Sequence, residues 1–487
     1  MPSSLRAPGS SEEKLKVFLL SSEWWSRKGG ISTLNRILAI QLAKHPLVEV
    51  TVFLLECNEE EKKDAVSHNI KVVKAERQVG LEEKVWLCFP PRDLQIDIVI
   101  GHGAVLGAPA KIIRDNRKCK WVQVTHTAPK ELGMWKAYQD SIARSETKHK
   151  TEVELCENAD FVVGVGPKLS ESFQSYLCWC KNPDDVLTLI PGIFNEYSDI
   201  EHVPRDGKKC RVLTFGRGDE EDFKLKGFDI AAKAVARLSD TILIFAGALE
   251  EDLQQVTDRF LECNISPENL DVRSFLENKH ELIRLFCEVD LALMPSRTDG
   301  FGFTALEALS AGLPVLVSGN TGFGEALSKI AFGSFYVIDS QDPSVWADAI
   351  KQVWRKNWKT RRQESDYLRT CYRKEYNWEK QCNDLVAKCR RAVYDEQKQL
   401  ETCSEENPNQ TVTSHNVLEK RMERGPNTHL LQIVDESWLC PTTTQQRNKG
   451  TIMDERHIDK TTVTEQEEEC DRRFSLGDLH KGIYELT

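Results

Sequence analysis

Two acids, Asp299 and Glu307, stand eight positions apart in SRTDGFGFTALEALSAGLPVLVSGNTGFGE, a stretch that also holds Gly300, Gly302, Gly312, Gly319, Gly322 and Gly324. Before it runs the apolar, strand-like VDLALMPS. The chain then turns at Asp299-Gly300 and enters a helix near Thr304. This places the backbone N–H groups around Gly302 and Phe303 at a helix N-terminus, where unsatisfied donors and the positive end of the dipole favour phosphate. Glycine removes the Cβ that would hold such an anion away. Glu307, read as lying in the first turn, can accept from paired hydroxyls such as those of a ribose, while Asp299 on the loop faces the other side of the phosphate. The arrangement suits an anion with a hydroxylated ring at each end, a nucleoside diphosphate sugar. The plain alternative is that Glu307 favours the dipole and Asp299 caps a turn.

A second candidate is FGRGDEEDFKLKGFD, where Arg217 follows a strand and Lys226-Gly227 opens the next helix. Two cations at the carboxyl edge of a sheet could hold a diphosphate and stabilise its charge as it departs. The acids between them, residues 219–222, weaken any case for a general phosphate-binding patch, so the argument rests on position. Nearer the N-terminus, Gly29-Gly30 in WWSRKGGISTLNRILAI lies between a strand and a helix, the phosphate-accommodating position of a doubly wound fold or a plain tight turn. His102 in VIGHG and His126 in VTHTAP both end apolar runs. A histidine there can donate to sugar hydroxyls or finish a strand as a half-buried neutral residue.

The elements that must position these residues recur along the chain. Nearly continuous apolar runs at 16–22, 48–55, 70–74, 96–102, 120–126, 161–166 and 186–191 read as strands covered on both faces. Amphipathic stretches such as 31–44, with Ile31, Leu34, Leu38 and Leu42 on one face, supply the crossovers. After the polar NEYSDIEHVPRDGKKC the alternation resumes, with runs at 211–216, 241–247, 270–275, 289–294, 314–318 and 334–338. The expectation is α/β: two doubly wound, Rossmann-like parallel-sheet domains facing a cleft. They are expected at 15–195 and 210–375 after a disordered start at 1–14, with a linker at 196–209 and a helix at 376–397 crossing back to the first domain. The polar remainder, 398–487, reads as a mostly disordered tail with two apolar islands, LLQIVDESWLC and FSLGDLHKGIYEL, as candidate segments for a protein partner. A truncated neighbouring domain is the alternative there.

Bulk properties narrow the partners. The 487 residues carry a net charge of −11, with no long Lys/Arg block before the C-terminal third, which argues against nucleic acid or an anionic membrane as the main partner. The N-terminus lacks a basic start followed by an apolar core, and the apolar runs, roughly 5 to 8 residues each, fall short of the ~20 that span a bilayer. Fifteen cysteines are scattered without a CxxC pair, so neither a zinc site nor a disulfide framework is indicated and a reduced, cytoplasmic location is expected.

The stretch around the two acids closely resembles the signature of retaining glycosyltransferases of the GT-B fold, family 4 (glycosyl transferases group 1). The resemblance extends over much of residues 15–395: Lys28-Gly29-Gly30 resembles the glycine loop, His102 and His126 the strand-end histidines, FGRG…KLKGFD the Arg–Lys pair, and YNWEKQCNDLV the returning helix. It implies that Glu307 binds the donor ribose and Asp299 the hydroxyls of the transferred sugar. Arg217 and Lys226 would hold the diphosphate, helped by amides near Gly30 and Phe303, and His126 would lie near the transferred sugar. Glu325 belongs to the second glycine-rich loop. The resemblance further implies transfer from a nucleotide-sugar donor to a sugar, lipid or protein hydroxyl with retained configuration, and no bound metal or other cofactor.

Three features depart from the family pattern. Asp299 replaces the usual Glu, the gap from Arg217 to Lys226 carries Asp219, Glu220, Glu221 and Asp222 so that Lys224 competes as the functional lysine, and PGIF replaces an Asn-Gly turn. An active sugar transferase is therefore weighed against a nucleotide-sugar-binding regulatory module that has lost turnover and acts through its tail.

Overall fold

Runs of Val, Ile, Leu and Phe without polar interruption fold as strands because both faces of a parallel sheet are covered by crossover helices. A computed structural model of the protein describes residues 13–25, 30–137, 140–197, 200–204, 207–276 and 279–405. Residues 1–12, Gly29 and the expected tail from 406 onward lie outside the described residues.

Seven strands form the first sheet: β1 (Leu15–Ser21), β2 (Val48–Leu54), β3 (Ile70–Lys74), β4 (Ile98–His102), β5 (Lys120–Thr125), β6 (Phe161–Val165) and β7 (Val186–Leu189). Six form the second: β8 (Cys210–Phe215), β9 (Thr241–Ala248), β10 (Leu270–Ser274), β11 (Leu291–Met294), β12 (Val315–Ser318) and β13 (Val337–Ile338). Every pairing is parallel, in the orders β3-β2-β1-β4-β5-β6-β7 and β10-β9-β8-β11-β12-β13. All residues of β4, β6, β11 and β12 are buried, as expected of central strands under helices on both sides. The two doubly wound domains read from the sequence are present. Of the run at 334–338 only two residues extend as β13: Phe332 takes a positive φ of 63° and the chain makes a 3-10 turn over Gly333–Tyr336 first.

Each sheet reverses its order once, between β1 and β4 and between β8 and β11. At such a switch point neighbouring crossovers leave toward opposite faces and open a crevice beyond the carboxyl ends of the strands. Gly30 follows β1, His102 ends β4, His126 follows β5, Arg217 follows β8 and Asp299 follows β11. Topology thus collects residues nearly 270 positions apart at two facing crevices.

The helix Trp378–Glu405 leaves the second domain and packs on the first. Gln381 donates to the Ile190 carbonyl at 2.6 Å and accepts from the Ile190 N–H at 2.5 Å, while Cys382, Leu385, Val386 and Cys389 are buried in the core. Tyr372, fully buried, donates its hydroxyl to the Pro191 carbonyl at 3.0 Å. Among the described residues no helix is long and apolar enough to cross a membrane.

Candidate active site

The second sheet's switch point supplies the anion-binding geometry. Gly302, at φ 97°, caps the helix Phe303–Ser310 in a left-handed conformation that a residue with a Cβ adopts only under strain, and no side chain caps that end. The first N–H groups of a helix have no intrahelical partner, so this end offers donors to a ligand. Because the helix already begins at Phe303, Glu307 is its fifth residue and lies in the second turn, not in the first as the sequence suggested. Among the described residues no hydrogen bond or ion pair reaches its carboxyl. Burial first, and the charge of Glu196 second, push that carboxyl up to about 8.

The cations are already engaged. Lys226 Nζ donates to Asp299 Oδ2 at 2.8 Å. Burial pulls this lysine's pKa down, but Asp299 and Asp222 outweigh it and the ammonium stays charged. Lys224 is exposed and offers only its carbonyl, to Arg297, so of the two lysines Lys226 is the one at Asp299. Arg217 does not point into an open crevice: it is bound by Asp222 and lies 3.3 Å from Asp219. The acids between Arg217 and Lys226 form a one-turn helix, Glu220–Phe223, capped by Asp219, which accepts from the Asp222 N–H at 2.8 Å.

The first domain closes directly on this surface. A Cβ on Gly300 would stand 1.9 Å from the His126 carbonyl oxygen, and one on Gly30 would stand 2.6 Å from the Phe303 ring. His126 and His102 are both buried, with His102 Nδ1 and His126 Nε2 2.9 Å apart, and the outer nitrogen of each ring lacks a hydrogen-bond partner. Burial lowers the His102 pKa to about 3; burial and then His102 hold His126 well below the usual imidazole range. The structure therefore brings Gly30, Phe303, His126, Asp299, Lys226 and Arg217 to one place between the domains.

Glu325 is half-buried in the first turn of the helix Gly322–Ser328. Burial, then Glu171, raise its pKa, with Lys168 opposing. Lys168 itself escaped sequence reasoning. Its buried ammonium reaches across the cleft to Thr298 Oγ1 at 2.6 Å and Asn320 Oδ1 at 2.9 Å, and pairs with Glu131 at 2.7 Å. Arg297 was missed as well: it grips Asp229 with two bonds of 2.7 and 2.9 Å and lies over the Trp135 ring. Nothing in one sequence separates these residues from ordinary surface charges. Among the described residues no group of three or more His, Cys, Asp or Glu is placed to hold a metal ion.

A family model described as "Family 4 Glycosyltransferase in conflict systems" matches residues 18–385, most of the chain. The chain belongs to this family. The family 4 chain is also 24% identical, over 278 residues, to a D-inositol 3-phosphate glycosyltransferase of Corynebacterium diphtheriae. That match covers 53% of this chain and 63% of that protein, so the chain spans less than two thirds of this curated relative. Its fold is similar to that of sucrose-phosphate synthase from Thermosynechococcus elongatus, with a TM-score of 0.60, 16% identity, and coverage of 78% of this chain and 99% of the other. Anabaena HepE, solved in complex with UDP and glucose, superimposes with a TM-score of 0.57 and 13% identity, covering 77% and 99% of the two chains. At these identities the likeness concerns the fold: the two domains are those of a GT-B protein.

Proposed function

We propose that this chain is a glycosyltransferase that moves a sugar from a nucleoside diphosphate sugar, UDP- or GDP-linked, to a hydroxyl acceptor with retention of configuration. The observation that carries the reading is the helix end at Gly302 with an ion-paired Lys226–Asp299 before it and an unpaired Glu307 carboxyl on the helix itself. A ribose donating to Glu307 would satisfy that carboxyl. The diphosphate then meets the amides at Phe303 and Gly30 and the charges of Lys226 and Arg217. Asp299 takes hydroxyls of the transferred sugar and His126 lies beside it. HepE, which binds UDP and glucose, lends support to a UDP-type donor.

In this reading the bond from the anomeric carbon to the diphosphate oxygen breaks and a bond to the acceptor oxygen forms on the same face. The acceptor's proton passes to the departing diphosphate. Negative charge grows on that leaving group, and Lys226 and Arg217 stabilise it without a metal. Incubation with a panel of UDP-, GDP- and ADP-sugars in chelator-containing buffer tests this. Release of free nucleotide with retained configuration at the product is expected. Absence of both transfer and donor hydrolysis across the panel, or an absolute need for a divalent metal, would overturn it.

A further inference from the structure

Arg217 and Lys136 are both claimed by one carboxylate. Lys136 lies between the first-domain helices Pro129–Gly133 and Ser141–Asn158, its side chain 6% exposed, and its ammonium stands 3.8 Å from Asp222 Oδ1. Asp222, whose side chain is 3% exposed, binds Arg217 through Oδ2, while Oδ1 lacks a hydrogen-bond partner. The contact therefore crosses from one domain to the other. With Lys226, Asp219 and Asp299 added, the ion pairs among the described residues already set a carboxylate against each of these cations.

A diphosphate gains little from cations that are already compensated, and an anion left beside it is repelled. We propose that Asp222 is an internal competitor for the donor's diphosphate, holding Arg217 and, across the cleft, Lys136 in the empty protein, and that Lys136 is a first-domain ligand of that diphosphate. This rests on the reading of the cleft as a nucleoside diphosphate site. Arg217 and Lys136 are long enough to trade a carboxylate for a phosphate by rotating their own side chains. The acids that depart from the family pattern thus set how tightly the donor binds.

The test is calorimetric titration of inorganic pyrophosphate, UDP and GDP into the wild type, Asp222→Asn, and Asp222→Asn combined with Lys136→Met. Asp222→Asn should bind pyrophosphate about tenfold more tightly than wild type, and adding Lys136→Met should cancel most of that gain. Binding by Asp222→Asn that is equal to or weaker than wild type overturns the proposal and makes Asp222 a positioning residue for Arg217. A double variant as tight as the single overturns the part given to Lys136. Should Asp222→Asn not fold, Asp219→Asn, which faces Arg217 from a more open side, should tighten binding in the same direction, and Lys136→Met alone should weaken it about tenfold; no change in both counts against the proposal. If no nucleotide binds any of these proteins the nucleoside diphosphate reading falls, and the pyrophosphate contrast still decides the competition.

Discussion

Lys226 Nζ lies 2.8 Å from Asp299 Oδ2, a pair joined from the two sides of the second sheet's switch point. The two side chains are only 26% and 17% exposed, so each depends on the other for compensation. A diphosphate leaving group would draw the lysine's charge toward itself as its own charge grows. Lys226→Met is expected to lower kcat about a hundredfold or more while raising KM less, on the scale of lost oxyanion donors. Asp299→Ala should lose selection among donor sugars while free nucleoside diphosphate still binds. Steady-state kinetics over a donor panel decide both, and full turnover by Lys226→Met would remove the lysine from the mechanism.

Glu307 predicts a proton count. Its pKa, raised from the usual 4.5 to about 8, means the folded protein holds a proton there at neutral pH that the unfolded chain does not. The sign follows: this carboxyl favours the folded state fully below its unfolded pKa, and the contribution is lost as pH rises toward 8. Ribose hydroxyls donate to the ionised form, so nucleotide binding at pH 7 should release close to one proton, visible as a dependence of calorimetric heat on the buffer's ionisation enthalpy. Glu307→Gln should release none and bind roughly ten- to a hundredfold more weakly. Equal proton release by wild type and variant would take the ribose away from Glu307.

Which parts could be read from the chain alone follows from how local their causes are. The strands were legible because a central parallel strand is covered on both faces and so is nearly continuously apolar, as β11 is throughout and β4 is up to His102. Asp299 and Glu307 were legible because one turn and one helix fix their separation. The position of Glu307 within the helix was missed because Gly302 at φ 97° starts the helix one residue earlier than Thr304. The acids at 219–222 stood out, but their capture of Arg217 and Lys136 did not, because Lys136 belongs to another domain. Lys168, bonded to residues 130 and 152 positions away, carries no local signature at all.

The paired histidines give a pH dependence of opposite sign to that of Glu307. With the His102 pKa lowered from 6.5 to about 3 and that of His126 held well down, both rings stay neutral in the folded protein where the unfolded chain takes up protons. Their contribution is present above pH 6.5 and is lost as pH falls toward the folded values. His102→Gln, which keeps a donor and an acceptor but does not titrate, should therefore melt with a shallower decline than wild type between pH 6.5 and 4.5. Glu307 is common to both proteins, so it drops out of the comparison. Parallel melting curves against pH would mean that these rings titrate normally in the fold.

A close approach between the backbones of the two domains sets the last prediction. Gly300 faces the His126 backbone so closely that an added methyl would stand 1.9 Å from the carbonyl oxygen and 2.9 Å from its carbon. Main-chain atoms cannot turn aside as a flexible side chain can, so Gly300→Ala must move the Asp299 loop away from β5. Glu307 and Lys226 belong to the second domain and keep their places relative to one another, so free nucleotide should still bind, weakened by no more than about tenfold through the first-domain contacts at Gly30 and Lys136. His126 and Asp299, which come from opposite domains, no longer meet around the sugar. Displacements of about 1 Å at a reacting centre cost on the order of a hundredfold in rate, and kcat should fall by about that much. Small-angle scattering should show a larger radius of gyration for the variant than for wild type with nucleotide bound. Wild-type kcat in Gly300→Ala would show that turnover does not require this closure.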